Sequence, residues 1–137
     1  YIGQYYDHQS LPAKISILDN PYKAALIYSI TTYEPAGIDD VFVKTWQHRD
    51  IKVSVFFSER KSTEECWLMF NRFIKNGWTL SETEQGTIAF IKPKSKGYSF
   101  IAVHERWIYG CIDTPSIQYG GEILEILKTR ISLYEKK

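Results

Sequence analysis

Cysteine is nearly absent from this chain: Cys66 and Cys111 are the only two among 137 residues. Two cysteines cannot build a disulfide scaffold, and no Cys-x-x-Cys stands ready to hold zinc or run thiol exchange. Histidine is scarce as well. His8, His48 and His104 lack a second His or Cys at ligand spacing, such as the four-residue step that places two ligands on one helix face. No metal and no cofactor are therefore expected. The formal net charge is only +1. A surface that neutralises phosphates needs clustered Lys and Arg, so no nucleic-acid partner is expected. Apolar runs are short, and none approaches the roughly 20 residues that span a bilayer. Gly-x-Gly-x-x-Gly and P-loop patterns are missing too. Tyr119-Gly120-Gly121, at the start of a helical pattern, is left as a weak anion-binding signal that close helix packing explains equally well.

What the chain does have is apolar and aromatic mass. Hydrophobic residues make up 44% of it and aromatics 15%, with ten Tyr and four Trp. That is enough for one core, and the length suits a single domain over 1–137, with 1–20 read as a docked N-terminal arm. Tyr- and Trp-rich surfaces favour binding proteins.

The stretch from Ile51 to Trp78 organises the rest. Ile51, Val53, Val55 and Phe57 alternate with Lys52, Ser54 and Phe56, which reads as a strand with one buried face. Ser62 followed by Glu65 is a capping-box signature for a helix start. Lys75 and Asn76-Gly77 mark its end. Cys66, Met69, Phe70 and Phe73 recur at helical spacing and form its apolar face, with Trp67 and Ile74 flanking them.

Upstream, 24–33 reads as a strand on its Ile-Thr-Thr-Tyr, over a helix starting at Pro21. Lys14 to Leu18 reads as a short strand, and Val41 to Trp46 pairs with the central strand through Gln47–Asp50. Downstream, a four-strand meander is expected at 78–83, 87–92, 98–104 and 107–112, with turns at Glu84–Gly86, Pro93–Gly97 and Glu105-Arg106. Asp113–Ser116 should break the sheet. A last helix at about 118–134 places Ile123, Leu124, Leu127, Ile131 and Tyr134 on one face. Hairpins dominate, so the fold class is α+β: a mainly antiparallel twisted sheet of about six to seven strands, with two principal helices, about 62–76 and 118–134, packed on it. The order of elements resembles small extracytoplasmic α+β folds of the PsbP-like or cystatin-like kind, without a motif that assigns the chain to either family.

Four groups of residues are candidates for function. His104, Glu105 and Asp113 could form an acid–base cluster for a small hydrolase or lyase. Trp46, Tyr98, Trp107 and Tyr109 form either an aromatic ligand platform or part of the core. Lys92, Lys94 and Lys96 surround a turn that could meet an anionic partner. Cys66 and Cys111 read as two buried free thiols, with a disulfide as the alternative. The expected function is a non-catalytic binding or interaction domain with a protein or small-ligand partner. Tyr1 in place of Met reads as a trimmed start. That suggests an extracytoplasmic domain, secreted or attached to a membrane through a removed N-terminal segment.

Overall fold

A computed structural model describes residues 3–5, 17–18, 24–33, 38–48, 51–83, 86–94 and 96–136. Its elements in chain order are β1 (Gly3–Tyr5), β2 (Ala24–Tyr33), β3 (Ile38–His48), β4 (Ile51–Glu59), α1 (Thr63–Lys75), β5 (Thr79–Thr83), β6 (Gly86–Ile91), β7 (Tyr98–His104), β8 (Trp107–Thr114) and α2 (Ile117–Glu135). The eight strands form one sheet in the order β1-β2-β3-β4-β8-β7-β6-β5, antiparallel at every seam. Two four-strand meanders thus meet at the β4–β8 seam. The α+β class, the antiparallel sheet and the two helices are as the sequence implied. The ambiguous 24–33 segment is a strand. Ile17 and Leu18 form a short 3-10 turn, not the end of a strand, and both are fully buried. Most of the expected arm over 1–20, including His8, lies outside the described residues.

The helix ends follow local chemistry. Ser62 caps α1, its hydroxyl accepting from the Glu65 amide at 3.1 Å. The Glu65 carboxylate does not complete a reciprocal box. It accepts instead from the Lys61 amide at 3.2 Å and from the Arg60 guanidinium at 2.9 Å. At the other end Gly77 takes φ 101°. Its amide reaches Ile74 O and the Trp78 amide reaches Phe73 O, a two-bond stop that needs the left-handed residue. Ser116 caps α2 by accepting from the Tyr119 amide at 3.0 Å.

The helices lie on opposite faces of the sheet. Met69 and Phe70 of α1 pack with Ile38, Val41, Val43, Phe56, Ala89, Ile101 and Ile108. Ile123, Leu124, Leu127 and Ile131 of α2 pack with Val53, Val55, Phe57, Phe100, Trp107, Tyr109 and Cys111. This corrects the one-faced reading of β4. Phe56, expected on the wet side, is 0% exposed because α1 covers that face while α2 covers the other. Gly120 lets α2 settle on β7: a Cβ there would stand 2.0 Å from the Phe100 ring. Gly121 faces open space.

Candidate functional site

The aromatic quartet is core. Trp46, Trp107 and Tyr109 are at most 2% exposed under α2. Each indole satisfies its one donor internally, Trp46 Nε1 on Leu18 O at 2.9 Å and Trp107 Nε1 on the Glu135 carboxylate. Trp107 also meets Phe57 and Tyr134 at ring separations of 5.3 and 5.9 Å. Tyr98 is half-buried among Phe90 and Phe100. The open platform is therefore closed by α2, whose apolar stripe needs this surface to bury itself. Burial pushes the Tyr109 hydroxyl well above its ordinary range, because a phenolate there would be desolvated.

The acid–base trio does not converge. His104 pairs with Trp107 at one end of the β7–β8 hairpin, with its Nε2 3.2 Å from Ser132 Oγ on α2. Glu105, at φ 54°, is exposed in the turn. Asp113 lies near the other end of β8, roughly 20 Å away at about 3.3 Å per strand residue. There Asp113 does structural work. At φ 65° it forms part of an irregularity between β7 and β8, and its Oδ1 accepts from the Gly97 amide at 2.6 Å. β8 consequently runs on through Thr114 instead of breaking at Asp113. Among the described residues no His, Cys, Asp and Glu side chains gather in a group able to hold a metal.

The two thiols are both free and buried. Cys66 sits on α1, whereas Cys111 packs in the layer beneath α2 across the sheet. Burial pushes the Cys66 thiol up to about 11, although the nearby Arg60 guanidinium opposes that rise. Cys111 is pushed higher still by burial alone. Neither carries the thiolate a nucleophile needs. Lys92, Lys94 and Lys96 are all exposed around the β6–β7 turn, and Lys92 Nζ lies 5.8 Å from the Tyr98 ring centre.

Two surface features escaped the sequence patterns. Along the outer side of α1 runs a groove of about 610 Å³ lined by Glu65, Leu68, Asn71, Arg72, Ile74 and Lys75. Leu68 is 67% exposed there, and its neighbour Trp67 is 36% exposed with its ring edge against Phe70. A second groove of about 350 Å³ lies between Thr83, Ile88 and the first turns of α2. The only sequence sign of the first was two large apolar residues, Trp67 and Leu68, on a helix whose core stripe was already filled. No family model, curated protein or solved structure matches the chain. No described helix is long and apolar enough to cross a membrane.

Proposed function

We propose that the chain is a non-catalytic interaction domain that docks a protein segment along the outer stripe of α1. The observation that carries this reading is Leu68, mid-helix and two-thirds exposed beside Trp67 and a groove. Apolar side chains gathered in one exposed place are where binding energy concentrates, and aromatic anchors dominate it. The groove also sets the partner's chemistry. Arg72 and Lys75 are exposed cations on its rim, while Glu65 is engaged by Arg60. A segment with apolar anchors flanked by carboxylates suits such a rim.

An extracytoplasmic setting belongs to the same proposal. Two thiols buried on opposite faces cannot bridge each other, so the folded domain does not depend on the redox state of its compartment.

Selection from a displayed peptide library tests the docking reading. Enriched peptides should combine Leu, Phe or Trp with Asp or Glu. They should lose at least about tenfold in affinity for Leu68→Glu, the loss that about 1.4 kcal/mol represents. Peptides that bind Leu68→Glu as tightly as the native domain would rule out α1 as the docking stripe.

A further inference from the structure

The sheet ends on β5, and no described strand lies beyond it. An antiparallel edge offers a row of amide and carbonyl groups to another strand, and proteins usually blunt it with Pro, Lys, a bulge or a covering element. β5 reads Thr-Leu-Ser-Glu-Thr, with neither Pro nor Lys and a single charge, the exposed Glu82. Its pairing with β6 runs without a register shift from Thr79↔Phe90 to Thr83↔Gly86. Among the described residues α1 packs on β6, β7 and β8 and α2 on β7 and β8, and neither makes more than slight contact with β5, whose Thr83 shares a groove with the start of α2. Leu80 is 52% exposed there.

We infer that β5 is a self-association edge, pairing antiparallel with β5 of a second copy about a two-fold axis through Ser81. The register makes the strand complementary to itself. Side chains directly opposite each other in an antiparallel pair share a face. Thr79 then meets Thr83 of the second copy, Ser81 meets its own mate, and Leu80 meets Glu82 of the second copy. No like charges stand opposed. The two Leu80 side chains become diagonal neighbours on the α1 face, a separation that long side chains bridge.

The surrounding charge points to the same occupant. Beside Thr83 the groove rim carries the exposed carboxylates of Glu122 and Glu125. Beyond the Thr79 end stands Lys92, exposed and on the same face as Phe90 and Tyr98. A two-fold axis through Ser81 brings the acidic end of one copy toward the basic end of the other. This polarity favours a second copy over a uniformly charged peptide.

Sedimentation velocity over a concentration series reads the outcome. A five-residue seam is small beside a standard interface, so exchange should fall between about 1 μM and about 1 mM. Ser81→Lys and Ser81→Glu each place like charges face to face and should weaken the dimer roughly fivefold. Mixing the two variants should restore at least native affinity, since Lys then faces Glu. Amide exchange at the alternate β5 residues whose N–H groups point away from β6 should slow with concentration in the native chain, a readout that needs no variant to fold. A native chain that stays monomeric at about 1 mM would overturn the proposal and leave the edge to another protein's strand. Single variants that dimerise like the native chain, or a mixture no tighter than either alone, would overturn it as well.

Discussion

Phe56→Ala separates a sheet covered on both faces from a sheet covered on one. Phe56 lies at the centre of the sheet, opposite Val43 on β3 and Gly110 on β8. Its ring tip fills the space over Gly110, where a Cβ would come within 2.8 Å of it. Met69 and Phe70 of α1 belong to the same cluster. A fully buried phenyl group keeps on the order of 150–200 Å² of apolar surface from water. At roughly 25 cal/mol per Å² that is worth about 4–5 kcal/mol. Observed Phe→Ala losses of about 3–5 kcal/mol agree, and a central strand flanked on both sides leaves the cavity little room to collapse. For a chain of this length the loss corresponds to a fall in Tm of roughly 10–20 °C. Urea unfolding should show a lower midpoint with an unchanged slope. Were Phe56 on a solvated face, the same substitution would cost less than about 0.5 kcal/mol. A measured loss under about 1 kcal/mol would refute the opposite-face arrangement.

Further outcomes follow from the same structure. Thiol titration of the native chain should detect neither cysteine, and unfolding should release two thiols whether or not reductant is present; one bond surviving without reductant would mean that Cys66 and Cys111 share a face after all. Gly120→Ala should destabilise despite a helix-propensity gain of about 1 kcal/mol, because the new Cβ meets Phe100, whereas Gly121→Ala should keep that gain in the same thermal-melt comparison. The hydrogen bond from Arg60, and then that from the Lys61 amide, holds the Glu65 carboxyl below its ordinary value of 4.5. A depressed folded-state value adds stability above the unfolded value and loses it as pH falls through the folded one. Glu65→Gln should therefore be the less stable variant near neutrality, with the difference closing below pH 4.5, as urea midpoints at each pH would show.

Much of the fold was legible because it is written in short-range chemistry. Ser62 and Gly77 bound α1, the Glu105-Arg106 turn joins β7 to β8, and Ile123 to Ile131 mark the buried stripe of α2. What was not legible depends on which side of the sheet each helix takes, a long-range choice that leaves no local pattern. Phe56 looked solvated because alternation identifies one buried face and is silent about a second. Trp107 and Tyr109 are equally aromatic whether they line a platform or lie under a helix, so only the position of α2 assigns them to the core. Asp113 is polar and follows an apolar strand, which reads as a break. A register irregularity between β7 and β8 keeps it within the strand, where its carboxylate accepts from the Gly97 amide, sixteen residues back. Leu68 stands exposed and no described strand lies beyond β5, and neither fact leaves a local pattern.

The central claim is that the outer stripe of α1 is where this domain meets its partner. Amide and methyl shift mapping with a library-selected peptide tests it most directly. The account predicts changes confined to Glu65, Trp67, Leu68, Asn71, Arg72 and Lys75, with the β7–β8 hairpin end unmoved. Shifts centred on His104 and Glu105, or on the Lys92–Lys96 turn, with α1 silent would contradict it.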